Sequence, residues 1–194
     1  MRKGTIALAL CGVMLGATAL AAQDLPVDFG KARQLFIEKQ HRASAHELAM
    51  ASSAFRGEIG KCKDVAVGEK MLAGEAQMDK FAKDVAAGKI ESLKAFDAQL
   101  AEFDLLLAKN HQQLAIDAWN KSRGRSLYTV GGDLSLAAGF FKRAMQWRHG
   151  TLTPEMQKLV DDAVRVSQAM FDNAEKEPPG AGSVIEALGR AIKI

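Results

Sequence analysis

Between Leu93 and Leu114 apolar side chains recur alternately three and four residues apart, at Leu93, Phe96, Leu100, Phe103, Leu107 and Leu114, and Asn110 fills the remaining seam position. Such a spacing, held for three heptads, draws one stripe along a helix face and predicts a single long helix from Ser92 to about Lys121. Asn110 is the one polar member of that stripe. It stands there either to fix register or because the seam meets water at that point.

Upstream, residues 28–59 read as a helical hairpin. Ala32, Leu35 and Phe36 make one apolar face, His41 and Arg42 interrupt it near a turn at 40–43, and Ala45, Leu48, Ala51 or Ser52, and Phe55 resume it. A second helix is predicted over 61–86, with Met71, Met78, Phe81 and Val85 on one side and Gly88 as its C-terminal cap. Gly68 and Gly74 weaken its middle, each by about 1 kcal/mol relative to alanine.

Downstream, residues 122–125 break the pattern. Leu127-Tyr128-Thr129-Val130 looks extended but has no partner strand, so it reads as loop, and Gly131-Gly132-Asp133 reads as a turn followed by a helix N-cap. A helix is then predicted from Asp133 to Arg148, with Leu134, Ala137, Phe141 and Ala144 inward and Phe140, Met145 and Trp147 widening the buried arc. Thr153 as N-cap and Pro154 in the first turn open the next helix, which carries Met156, Leu159, Val160, Ala163, Val166 and Met170. Glu177-Pro178-Pro179-Gly180 stops it. Finally, Ser183 and Glu186 have capping-box spacing and open a short amphipathic helix through Ile185, Leu188 and Ile192. The sum is an all-α antiparallel bundle of five or six helices. It is organised as a bundle domain over 23–177, a Pro/Gly linker over 178–182 and a C-terminal docking helix over 183–194.

The first 22 residues have a different character. Arg2 and Lys3 precede an apolar run from Thr5 to Leu15, and Ala19-Leu20-Ala21 supplies the small-x-small pattern of a signal-peptidase site. The run is well short of the ~20 residues that span a bilayer, so no transmembrane anchor is expected. An exported protein, periplasmic or secreted after cleavage near Ala21 or Ala22, is. Removing that segment takes two of the 26 Lys and Arg residues, set against 23 Asp and Glu, and the formal charge falls from +3 to +1. With the signs interspersed and no basic stripe, nucleic acid is not an expected partner. Cys11 leaves with the signal, so Cys62 stays as a single thiol with no intrachain disulfide to form. It reads as a small buried hydrophobe on a helix face.

Ala137-x3-Phe141-x2-Ala144 resembles the second helix of a tetratricopeptide-repeat hairpin, and Ser44-x3-Leu48-x2-Ala51 is a weaker echo of it. The resemblance implies a partner-binding groove, although the 34-residue period is absent. Leu152-Thr153-Pro154-Glu155 followed by Met156-Gln157 is similar to the Leu-Thr-x-x-Gln motif of small periplasmic stress-type chaperones, with the Gln one position late. In general layout the chain is also similar to the secreted YfdX-type proteins.

No motif for catalysis stands out, and neither a cofactor nor a metal is expected. His46-Glu47-Leu48-Ala49-Met50 begins like a zinc-protease helix but has Met where the second His must stand. His41 and His46 read as exposed residues of the hairpin, and His149 as a capping residue at a helix C-terminus. His111 adjoins Asn110 and shares its long helix with Trp119. It reads either as lining a small cavity or as a boundary histidine satisfied by a carbonyl or water. Binding candidates are therefore Asn110, His111 and Trp119, the Arg- and Gly-rich segment bearing Arg123, Arg125 and Tyr128, and the terminal helix through Ile185, Leu188 and Ile192. The expected function is a non-enzymatic interaction or scaffold module of the cell envelope, partnered by another envelope protein or by itself, with weak membrane-surface contact available to the terminal helix. The contrasting expectations are a periplasmic carrier of a small ligand or metal and a stress-type chaperone.

Overall fold

A computed structural model describes residues 25–121 and 127–194. Among them the fold is all-helical and contains seven helices, one more than the upper count expected. The predicted N-terminal signal segment, Arg123 and Arg125 lie outside the described residues.

The first hairpin forms as α1 (Gly30–Ile37) and α2 (His41–Ile59). Its turn falls slightly earlier than predicted, at 38–40, where Lys39 adopts φ 60° and its N–H bonds Phe36 O at 3.0 Å. Helix α3 (Val65–Ala86) starts four residues later than the pattern implied, because Asp64 caps it by accepting from Val67 N at 2.9 Å. Cys62 therefore sits in the α2–α3 connection rather than on a helix face, half-buried, with its thiol donating to Asp64 O at 3.3 Å. Gly88, at φ 67°, ends α3 as expected. Gly74 is where α3 comes closest to α4: a Cβ there would lie 2.4 Å from Leu106 Cδ1.

Helix α4 (Leu93–Lys121) carries the seam, and Phe96, Leu100, Phe103, Leu107 and Leu114 are all buried along it. Phe96 stacks on Phe36 of α1 at 4.3 Å between ring centroids, and Phe103 meets Phe29, Phe55 of α2 and Phe81 of α3. Burial extends well beyond the stripe. The helix contacts α1, α2, α3, α5 and α7, and Asp97, Asp104, Asn110, His111 and Gln112 are enclosed with the apolar residues.

Helix α5 (Tyr128–His149) corrects the sequence reading. The segment taken for loop and turn is its first two turns, and Asp133 lies inside the helix instead of capping it. Tertiary contact overrides the glycine pair here. Leu127 and Val130 are buried, Leu127 N bonds Ala174 O at 2.7 Å, and Ser167 Oγ donates to Gly131 O at 2.7 Å. Gly131 brings the two backbones together, since a Cβ would stand 3.1 Å from Ser167 O and from Met170 Cβ of α6.

Helix α6 (Pro154–Asp172) opens as expected, with Thr153 Oγ1 accepting from Met156 N. Helix α7 (Ala181–Ala191) begins two residues before the predicted box, following Gly180 with φ 76° at the N-cap position, so Ser183 lies within the helix and is not its cap. It packs on α4 and α6 and buries Ala181, Ile185, Leu188 and Ile192. Gln112 of α4 reaches under it to donate to Ile185 O at 3.3 Å, in a space that Gly189 leaves free.

If α7 is part of the core, Leu188→Ala should lower the unfolding free energy by about 2–5 kcal/mol. Urea denaturation followed by circular dichroism measures this, and a loss below about 0.5 kcal/mol would make α7 an appendage.

Candidate functional site

The chemistry of this protein is concentrated on α4. Asp97, Asp104 and His111 stand seven residues apart, each directly after a seam residue (Phe96, Phe103, Asn110). They thus form a second line beside the apolar one. In an exposed helix that line would be solvated. Here it is buried, and each member meets a partner from another element.

Asp97 takes both forks of Arg33 from α1, at 2.7 and 2.9 Å. Asp104, fully enclosed, accepts from Arg143 Nε and Nη2, both at 2.7 Å, and from Trp147 Nε1 at 2.8 Å. Arg143 also donates to Val27 O at 2.7 Å and lies over the Phe29 and Phe140 rings, tying the residues before α1 to α5. Burial pushes the Asp104 carboxyl up to about 6 against the pull of Arg143 and Trp147, so at neutral pH it is ionised and bidentately paired.

His111 lies between two carboxylates and is 1% exposed. Nδ1 is 2.9 Å from Asp133 Oδ1 of α5, and Nε2 is 3.2 Å from Glu58 Oε2 of α2. The ring stacks on Phe140 at 5.8 Å. Glu58 is enclosed as well and is held by Lys61 at 2.8 Å and, through its carbonyl, by the Asn110 amide at 3.2 Å. Burial works against the imidazolium, but the bonds and charges of Asp133 and Glu58 outweigh it and raise the ring's pKa above its ordinary 6.5. For Glu58, burial raises the pKa, yet His111 and Lys61 bring it below 4.5. The group is thus a carboxylate–imidazole–carboxylate triad that favours the protonated ring, with Lys61 as further counter-charge to Glu58.

The triad accounts for two of the predicted binding residues in a way the sequence did not suggest. His111 is held by carboxylates rather than by a carbonyl, and Asn110 is buried, bonding Glu58 O across the α2–α4 boundary. Trp119, two turns on, is half-buried beneath Gly182 at the start of α7. Tyr128 is 62% exposed and packs on Phe171 at 4.8 Å. His46 and His149 are exposed, whereas His41 is half-buried against Phe36 with its Nδ1 enclosed. Glu58 and Asp133 escaped the sequence reading because nothing local marks them, while the seven-residue recurrence of Asp97, Asp104 and His111 was visible.

Chemically the triad is closed. The two ring nitrogens face carboxylates on opposite edges of the ring. Among the described residues no His, Cys, Asp and Glu group has metal-binding geometry.

The surface offers more room. A cleft of about 540 Å³ lies where the α1–α2 and α3–α4 turns meet, lined by Phe36, Ile37, Lys39, His41, Gly88, Ile90, Glu91 and Leu93. Ile37 is 44% and Leu93 36% exposed. A second hollow, about 440 Å³, shares Lys39 and His41 and continues to Arg42 and Ala86. A third, about 450 Å³, is lined by Val67, Lys70, Lys109, Gln113 and the terminal residues Ile192, Lys193 and Ile194.

Because Asp104 has no other cation in bonding reach, Arg143→Met should cost about 3–5 kcal/mol by leaving a buried charge unpaired. In equilibrium urea unfolding, the double variant Arg143→Met/Asp104→Leu should recover much of that loss. A single variant within about 1 kcal/mol of the parent would show that the pair does not carry this corner of the fold.

No family model, curated protein or solved structure matches this chain.

Proposed function

We propose that this is a non-catalytic interaction module of the cell envelope that receives an apolar segment of a partner protein in the cleft at the turn end of the bundle. One observation carries the reading. Two separate helix–helix turns leave Ile37, Ile90 and Leu93 beside one hollow, with Ile37 and Leu93 over a third exposed; Met50, Val65, Leu72, Tyr128 and Ile194 are exposed as well, but none of them lines this cleft. Contiguous exposed apolar surface of this kind is what partner sites are made of, and the volume is in the range of ordinary binding clefts. The ionisable groups of the interior support the same reading from the other side. Asp97 with Arg33, Asp104 with Arg143 and His111 with Glu58 and Asp133 are spent on one another in pairs that hold helices together. Export from the cytoplasm rests on the character of the first 22 residues. Among the described residues no helix is long and apolar enough to cross a membrane.

A photo-crosslinking residue placed at Leu93 in cells should give discrete adducts with an envelope protein, and one at Lys158, on the exposed face of α6, should not. An Ile37→Asp substitution should remove the Leu93 adducts while leaving the thermal midpoint nearly unchanged, since that side chain is already partly in water. Absence of adducts at Leu93, or equal yields at the two sites, would exclude the cleft as the docking surface.

A further inference from the structure

Three polar atoms near the α2–α4 boundary are shut off from solvent without a hydrogen-bond partner: Glu58 Oε2, His111 Nε2 and Asn110 Oδ1. The first two face each other at 3.2 Å without hydrogen-bond alignment, whereas the opposite edge of the ring makes a well-formed 2.9 Å bond to Asp133. This asymmetry sets what happens when the ring loses a proton. An imidazolium has two N–H donors, one for each carboxylate, but neutral imidazole has one donor and one lone pair. The shorter, aligned bond to Asp133 keeps the donor. The lone pair then falls at Nε2, against a buried carboxylate that it repels.

Glu58 is a sensitive place for that repulsion. It stands in the last turn of α2 between Gly57 and Gly60, and a side chain at Gly57 would find nothing within 4 Å. Glycine costs a helix about 1 kcal/mol relative to alanine, so this turn has little order of its own. Apart from the packing of Ile59 and Cys62 on the core, its side-chain ties to the neighbouring groups fall on Glu58: the charge contact with His111 at Oε2, Lys61 at Oε1 and the Asn110 amide at the carbonyl. The Lys61 tie is local and more than half exposed, so it does not anchor the turn to α4.

We propose that His111 is a proton-dependent clasp. With the imidazolium between Glu58 and Asp133, the end of α2 and its connection to α3, residues 57–64, are pinned to α4. Loss of the ring proton detaches that segment while α4 and α5 stay joined. The charged groups facing the ring are Glu58 of α2 and Asp133 of α5. Lys61 acts on Glu58, and Asp64 and Asp117 act on the Cys62 thiol in the same connection. The ring's raised pKa means that its contribution is complete below 6.5 and is lost as pH climbs through the folded value. Glu58, lowered, contributes above 4.5 and loses that contribution as pH falls through its folded value. The clasp is therefore closed between the lowered folded value of Glu58 and the raised folded value of His111, and His111 opens it as pH climbs through the latter.

The test uses the full mature chain. NMR titration of the His111 ring is combined with native-state amide exchange, corrected for intrinsic pH dependence. The ring should titrate above 6.5. Protection across 57–64 should fall by up to about tenfold for each pH unit of that elevation, with amides 134–145 of α5 unchanged. Glu58→Gln supplies an amide that can donate to the neutral ring, and it should lower the His111 pKa and abolish the step in 57–64. A ring that titrates at or below 6.5 overturns the proposal. So does a wild-type segment without the step, an equal step in 134–145, or a step that persists in Glu58→Gln. If that variant fails to fold, the wild-type titration and the location of its exchange step decide the matter.

Discussion

The architecture rests on the burial of α4. A helix that touches five others has almost no face left for water, so a polar group on it must find a partner inside or destabilise the fold. Asp97, Asp104, Asn110, His111 and Gln112 each bond a group from another part of the chain, although Asn110 Oδ1 and His111 Nε2 keep no hydrogen-bond partner. Arg33 brings α1, Arg143 brings α5 and with it Val27, Glu58 brings the end of α2, Asp133 a further point on α5, and Ile185 brings α7. The apolar seam supplies most of the burial, but apolar contacts are non-directional. The polar pairs give α4 its specific register against each neighbour.

The two ends of this polar line differ in kind. Arg33 and Arg143 carry charge at any physiological pH, and planar forks hold their carboxylates bidentately. Their cations do not titrate, although the Asp104 carboxyl, raised to about 6, gives up its charge as pH falls through that value. At His111 the cation is a group whose ordinary pKa lies near neutrality, and the carboxylate on one side belongs to a helix end with two nearby glycines. The same design of buried charge between helices is thus limited by the acid at Asp104 and by the cation at His111. The aromatic cluster of Phe29, Phe36, Phe55, Phe81, Phe96 and Phe103 holds the α1–α3 side to α4 away from the triad, so opening the last turn of α2 leaves the bundle intact.

The turn end of the molecule follows a different logic. Both turns there are short, and the backbone reverses at Lys39 and Gly88 with positive φ. That leaves no residues to fold over Ile37, Ile90 and Leu93. At the opposite end the Pro-rich segment and α7 close over α4 and α6, and the terminal helix is spent on the core. Its apolar face, which in the sequence looks equally suited to a partner or a membrane surface, is already occupied by its own bundle.

Periodicity alone determined the seam of α4, the caps at Thr153 and Gly88, the first hairpin and the all-helical class. Each of these depends on residues within a few turns of one another, where spacing translates directly into a shared face. Where the reading failed, a contact distant in sequence had reversed a local preference. Gly131 and Gly132 read as a turn until α6 supplies the surface that makes a close helix–helix approach worth more than the glycine penalty. Ser183 and Glu186 read as a cap until Gly180 starts α7 earlier. The site was half legible. The recurrence of Asp97, Asp104 and His111 beside the seam is in the sequence, but nothing local says that it is buried. Only the tertiary structure brings Glu58 from 53 residues upstream and Asp133 from 22 downstream to the two edges of one imidazole. That juxtaposition raises the pKa of a histidine that reads as a boundary residue, because pKa depends on what surrounds a group in space and not on its neighbours in the chain.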